Sequence, residues 1–262
     1  MHASRSEIKY LRSLSQKKVR DAEKKFIVEG WKSLQEAVES DFHIEFVGIQ
    51  QDDEISLDRQ AVLEEVRRNK IAIRDLSDIE LRQISETVHS QGVIALVHQR
   101  HSLLTEKLLR EATLIVALDR VSDPGNVGSI IRTCDWFDAG ALLLGVGCVS
   151  MYNEKVVRST AGSIFHLTIA ENIDLVTTLK DLRTKGFSVV ATALDGKHFY
   201  PDAALPEKTV IVLGSEGTGI SDEIRKSSDL VLGIPRFGNA ESLNVGVACG
   251  ITLFYLRNQS KQ

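Results

Sequence analysis

Three short polar segments carry the residue types that could do chemistry, and each follows directly on an apolar run. LIVALD (114–119) leads into RVSDPGNVGSIIRT (120–133), which holds Asn126 and, six residues on, Arg132. Proline and glycine there make a tight turn, Asn126 can cap a following helix, and the Arg132 fork can clamp a phosphate. A capped helix with a surface arginine would explain this segment as well. TVIVL (209–213) leads into GSEGTGIS (214–221). It lacks the lysine of a P-loop and the G-x-G-x-x-G dinucleotide pattern. Instead it sets Glu216 among glycines that permit close backbone approach to a ligand, although a glutamate capping a helix terminus is the plainer reading. LVLGIP (230–235) leads into RFGNAESLNVGVA (236–248), where Ser242 is placed to cap a long helix with Asn244 in its first turn. A simple cap would again suffice for that segment alone.

What must position these residues is a sheet. The runs LIVALD, ALLLG, FHLTIA, FSVVATAL, TVIVLGSE and LVLGIP are apolar with little alternation, as strands covered on both faces are, and helical patterns such as VGSIIRTCDWF and IDLVTTLKDLRTKG lie between them. In parallel sheets of this kind ligands bind beyond the C-terminal strand ends, so three polar loops on one edge predict one composite site. Upstream, FIVE, IEFVGI, IAIRDL and GVIALVHQ alternate with WKSLQEAVES, LDRQAVLEEVRRN and SDIELRQIS, the rhythm of a small α/β domain. The polar stretch 98–111 reads as helical. The expected division is therefore a domain over 1–100, a linker over 101–112 and a second domain over 113–262.

With 262 residues, 43% hydrophobic and 26% charged, the chain has the apolar material for such cores. No apolar run is long enough to span a bilayer, and MHASRSEIKYL lacks the apolar stretch of a secretory signal. Cys134, Cys148 and Cys249 are scattered with no C-x-x-C pair, which points away from a zinc site or disulfide framework and toward a reduced, cytoplasmic setting. The net charge of −4 speaks against a general nucleic-acid binder. Its distribution does not: residues 1–25 hold eight basic side chains (Arg5, Lys9, Arg12, Lys17, Lys18, Arg20, Lys24, Lys25) against Glu7, Asp21 and Glu23. Such a segment attracts polyanions, unless it is only a solvated helix face.

Taken together, DPGNVGSIIRT, LGSEGTGIS and IPRFGNAESLNVGVA, in this order and spacing, resemble the three signature motifs of the SpoU (TrmH) branch of the SPOUT methyltransferases, over about residues 113–258. KKFIVEGWKSLQEA (24–37) and HSQGVIALV (89–97) are similar to the L30e-like substrate-binding domain of the ribosomal RNA members. The resemblance implies an α/β fold whose C-terminal parallel sheet is threaded into a trefoil knot, a topology that ordinary rules disfavour, beside a small N-terminal α/β domain. It implies an RNA 2′-O-ribose methyltransferase using S-adenosylmethionine, with ribosomal RNA the favoured substrate, no metal, and a homodimer whose active site lies at the subunit interface. Gly214, Ile234 and Leu243 fall at donor-contact positions, with Thr192 and Ala193 lining the same pocket. Asn126, Arg132, Glu216, Ser242 and Asn244 fall at active-site positions. The chain departs from the family pattern at Ser215, Arg236 and Gly246, where asparagine, methionine and serine are usual.

Methyl transfer from a sulfonium is an in-line displacement on an already activated carbon, so alignment and proton removal are the protein's tasks. The family's usual proposal makes the arginine at Arg132 the base. A free guanidinium holds its proton above about pH 12, so the expected role is a phosphate clamp, with Ser242 and Asn244 holding the hydroxyl and Glu216 and Asn126 fixing their geometry. Other readings stand beside this one: a nucleotide-dependent α/β enzyme using GSEGTG, a non-catalytic RNA-binding protein, and a transfer-RNA 2′-O-methyltransferase. Finally, residues 242–257 read as a helix that is apolar round most of its circumference, with Leu243, Val247, Ile251 and Phe254 on one face. One sheet cannot cover such a helix, which predicts a second copy against it unless the N-terminal domain covers it. That contact would also let Arg132 or Arg158 of one chain face the other's donor.

Overall fold

The computed structural model describes residues 2–51, 56–85, 91–198 and 206–259. The chain forms two compact units, Met1–Arg100 with Tyr152–His166, and His101–Met151 with Leu167–Gln262.

The first unit is built from α1 (Arg5–Ser13), α2 (Lys17–Glu23), β1 (Lys25–Glu29), α3 (Trp31–Glu39), β2 (Ile44–Gln50), α4 (Leu57–Arg68), β3 (Ala72–Leu76), α5 (Asp78–Ile84) and β4 (Val93–His98). Its sheet runs β1-β4-β2-β3, with β4 antiparallel to both neighbours and β2 parallel to β3. His89 and Ser90, at the head of HSQGVIALV, lie outside the described residues. Helix α1 starts where Ser4 accepts the Glu7 N–H and the Glu7 carboxylate accepts the Ser4 N–H, a reciprocal cap. Its Ile8 and Leu11, with Leu14, enter a core shared with Ile27, Phe46, Leu76, Leu81, Ile94 and Leu96. The basic segment is thus amphipathic, and not all its charge faces water. Arg20 is buried and donates from Nη1 to the carbonyls of Leu14 (2.8 Å) and Ser15 (2.5 Å). Lys25 pairs with Glu45 at 2.5 Å. Arg5, Lys9, Arg12, Lys17, Lys18 and Lys24 are exposed.

The second unit holds α6 (Glu106–Glu111), β5 (Leu114–Asp119), α7 (Pro124–Trp136), β6 (Ala141–Gly145), β7 (Ile169–Ile173), α9 (Leu175–Thr184), β8 (Ser188–His198), β9 (Thr209–Gly214), α10 (Asp222–Ser227), β10 (Leu230–Gly233) and α11 (Val245–Gln259), with α8 (Glu154–Thr160) assigned to the first. The six strands are all parallel in the order β10-β8-β9-β5-β6-β7. Every residue of β5 and β6 is buried, which accounts for their unalternating apolar sequence. From β5 the chain moves one way to β6 and β7 and later returns on the other side as β9. β5 and β9 therefore flank a switch point, with Asp119 paired to Gly214 at their C-terminal ends. That pairing sets the Asn126 loop and the Glu216 loop side by side.

Two expected elements are corrected. The stretch 98–111 is not one helix: His98 still pairs with Lys25 in the sheet, and the helix begins only at Glu106, where Thr105 accepts the Leu108 N–H. FHLTIA is not a strand from its first residue. Phe165 ends a 3-10 turn, Ser163–Phe165, and its ring packs edge-on against Phe42 at 5.1 Å, so the strand starts at Ile169. Both differences follow from partners that a local pattern does not contain. Tyr152–His166 as a whole packs with the first unit. The Tyr152 ring lies 4.7 Å from Phe26, its hydroxyl accepts the Arg100 N–H (2.9 Å) and donates to the Arg100 carbonyl (2.7 Å), and His166 Nε2 meets Glu36 at 2.9 Å.

Candidate active site

At the end of β9 the chain turns back on itself at once. A Cβ on Gly214 would lie 2.1 Å from the Gly219 carbonyl carbon, so only glycine fits there. The Gly219 N–H donates to the Ser215 carbonyl (2.8 Å), and Ser215 Oγ accepts the Thr218 N–H (3.3 Å) and meets Thr218 Oγ1 at 2.9 Å. The far end of the loop is tied to β5: buried Asp119 accepts the Ser221 N–H at 2.6 Å.

The tight turn throws Glu216 toward the starts of α7 and α11. Its Oε1 accepts from Asn126 Nδ2 (3.1 Å), Asn244 Nδ2 (2.7 Å) and the Val245 N–H (3.4 Å), while Asn244 Nδ2 also reaches Asn126 Oδ1 at 2.8 Å. Three residues some 90 and 28 positions apart in sequence thus form one hydrogen-bonded triangle.

The capping expected from sequence is corrected in two places. Asp123, not Asn126, caps α7, accepting the Asn126 N–H at 2.9 Å with Pro124 in the first helical position. The Asn126 side chain is thereby released for Glu216. Ser242 does not cap α11, and Asn244 does not lie within its first turn. Asn244 is itself the cap, its Oδ1 accepting the Gly246 (2.9 Å) and Val247 (3.3 Å) N–H groups.

Beside this triangle opens a cavity of about 580 Å³. Thr192, Ala193, Gly214, Ile234 and Leu243 all line it, as do Glu216 and Ser242. Thr192 Oγ1 is turned to the Val212 carbonyl at 3.2 Å. Leu213, Ile220 and Val245 supply apolar wall, the mixture of much apolar and few polar groups that small-molecule sites of this size show. Arg132 stands apart. It is exposed on α7, does not line the cavity, and makes no hydrogen bond or ion pair among the described residues.

Sequence reasoning missed three polar residues. Asp119 ties the β9 loop down; its signal was a carboxylate closing an apolar strand. Asp195 and Arg225 form a two-pronged ion pair at the cavity (2.9 and 2.7 Å), and the Arg225 guanidinium holds the Asp195 carboxyl below its ordinary range. Arg225 carried no signal in sequence. Among the described residues no group of three His, Cys, Asp or Glu side chains is placed to hold a metal ion, and no helix is long and apolar enough to cross a membrane.

Residues 113–254 match the model of the SpoU rRNA Methylase family, and residues 5–95 that of the MRM3-like substrate binding domain. A 23S rRNA (guanosine(2553)-2'-O)-methyltransferase of Bacillus subtilis is 30% identical over 255 residues, covering 97% of this chain and 97% of its own. An AdoMet-bound rRNA methyltransferase from Sinorhizobium meliloti superposes with a TM-score of 0.85 at 29% identity, over 98% of this chain and 97% of that one. A SpoU methyltransferase of Streptomyces viridochromogenes shares the fold, with a TM-score of 0.86 at 24% identity over 98% of this chain and 99% of that one.

Proposed function

The chain belongs to the SpoU methylase family, and on that premise we propose that its cavity takes S-adenosylmethionine and that the methyl group passes to a ribose 2′-hydroxyl of ribosomal RNA. The observation that carries this reading is the Asn126–Glu216–Asn244 triangle at the sheet's switch point, against a cavity with room for a nucleoside-sized donor.

The residues present fit that donor. The Gly214 turn leaves backbone exposed at close range, the walls are apolar, and polar atoms are few. Bound there, S-adenosylmethionine supplies a methyl carbon already activated for in-line displacement. The chain must do the rest. Backbone groups at Gly214, Ile234 and Leu243, with Thr192 and Ala193, hold the donor. Ser242, at the cavity, orients the 2′-hydroxyl. Both polar atoms of the Asn244 side chain are committed to the α11 cap and to the triangle, so its part is to fix the helix start and not to hold substrate. The exposed Arg132 guanidinium, unengaged among the described residues, clamps an RNA phosphate. Alignment of this kind can lower a barrier by about 7–11 kcal/mol in favourable cases.

The first unit chooses the RNA. Arg5, Lys9 and Arg12 recur at helical spacing on the solvent side of α1, and Lys17 and Lys18 follow on α2, which supports binding to a polyanion. The enzyme acts as a homodimer through α11, and in the cytoplasm, where its three free cysteines suit the redox state. The C-terminal sheet is threaded into a trefoil knot, as the family resemblance implies.

Calorimetry of the purified chain with S-adenosylmethionine, ATP and NAD tests the donor, and mapping of 2′-O-methyl sites in ribosomal RNA from a deletion strain tests the acceptor. The reading requires heat with the first ligand and a missing ribose methyl in the second experiment. Binding of ATP or NAD in place of S-adenosylmethionine would overturn it.

A further inference from the structure

The loop between β10 and α11 carries Ser242, Leu243 and Asn244, and it also carries a side chain with no place in the methyl-transfer geometry. Phe237 is 98% exposed yet lines the rim of the cavity that Glu216 and Ser242 line. A lone hydrophobe on a surface needs no explanation. Phe237 differs in its surroundings. Arg236 beside it is exposed and makes no hydrogen bond or ion pair among the described residues. Gly238 after it has open space where a side chain would stand. An aromatic ring and a guanidinium, adjacent and both unengaged, are the two groups on which unstacked RNA bases lie, because every base offers a π-face and a neighbouring phosphate. The exposed stripe on α11 has a different character. It presents Val247, Ile251 and Phe254 at helical spacing, uncharged, as a protein contact requires.

Resting on the reading of the cavity as the methyl-transfer site, we propose that Phe237 and Arg236 form a stacking platform for an RNA base flanking the modified ribose. Phe237 takes the face of the base and Arg236 the adjoining phosphate, so that the target nucleotide is splayed out and its sugar delivered to Ser242. The platform acts on RNA binding and holds substrate and transition state alike, so its loss raises KM and leaves kcat nearly unchanged.

Unmodified large-subunit ribosomal RNA, transcribed in vitro, is the probe. Its affinity is measured by filter retention and its methylation by steady-state kinetics, for wild type, Phe237→Ala, Phe237→Leu and Phe237→Trp, with donor affinity by calorimetry. The alanine and leucine variants should each bind RNA roughly tenfold more weakly, with the same change in KM. The tryptophan variant should match wild type, and donor affinity should not move. If leucine serves as well as phenylalanine, the ring is an ordinary apolar contact with protein and the platform is wrong. A parallel loss of donor affinity in the alanine variant would place the ring over the donor and equally overturn it. A wild type that binds the RNA without methylating it would refute the reaction, while the binding comparison would still decide on the platform.

Discussion

A single oxygen, Glu216 Oε1, gathers three N–H donors from the beginnings of two helices. Hydrogen bonds to a carboxylate are stronger than neutral ones, and a network of them stands or falls as a unit. Substitutions within the triangle should therefore not add. We expect Asn126→Ala and Glu216→Ala each to lower methyl transfer at least about tenfold, roughly 1.4 kcal/mol of barrier, and the double variant to be little worse than either. Arg132→Ala and Ser242→Ala should show losses of the same size. All four side chains are exposed or half-buried, so melting temperatures should stay near wild type. Fully additive losses in the double variant would show that the triangle is not one unit, and near-normal activity in all four single variants would sink the site. The residues of the triangle were legible in sequence, because Asn126, Glu216 and Asn244 each stand in a glycine-bearing polar segment that follows an apolar strand. Their partners were not. An asparagine just inside a helix and a serine just before one both look like caps, and only the backbone shows that Asp123 and Asn244 hold those places.

Elements were legible where burial imposed a period and illegible where a distant partner decided. β5 and β6, buried throughout, announced themselves by unbroken apolar runs. Tyr152–His166 gave no such signal. It lies in sequence among the strands of the second unit and packs with the first, where Tyr152 fills the space beside Phe26 and Phe165 that beside Phe42. Residues 1–100 by themselves thus lack part of their own core. Phe165 is buried, and deleting a buried phenylalanine ring costs about 3–5 kcal/mol. We expect Phe165→Ala to lower the melting temperature of the full chain by several degrees and to weaken RNA binding more than donor binding. A change within about 1 kcal/mol would show that the segment merely lies on the surface of that unit. For the same reason a fragment beginning near Leu103 would leave Tyr152, Val156, Val157, Ile164 and Phe165 uncovered, so point substitutions test the division of labour more cleanly than truncation does.

For the molecule as a whole, the sequence pattern of α11 posed a problem that its own unit only half solves. Val245, Cys249, Thr252, Leu253 and Leu256 are buried, which satisfies one side of the helix. On the other side Val247, Ile251 and Phe254 remain 51%, 40% and 60% exposed, with Leu243 44% exposed just before the helix. Trp136, 83% exposed, stands on α7, the helix packed against α11. An exposed apolar face of this kind is what a twofold contact between identical helices would cover, one stripe serving both sides. Gly250 within it has nothing near where a side chain would stand, so a second backbone can approach closely. The stripe adjoins Asn244 and the helix that carries Arg132, so a pairing of α11 with its copy would bring the second subunit up to the proposed reacting groups. Because these side chains are exposed in the single chain, charged replacements there should break the dimer without unfolding the protomer. Sedimentation equilibrium at micromolar concentration should find twice 29.0 kDa for the wild type. Val247→Asp and Ile251→Glu should give folded monomers with no methyl transfer and with a wild-type circular dichroism spectrum. A wild type sedimenting at 29.0 kDa would refute the dimer, and a monomeric variant that still methylates RNA would show that each subunit completes its own site and that the stripe serves some other contact.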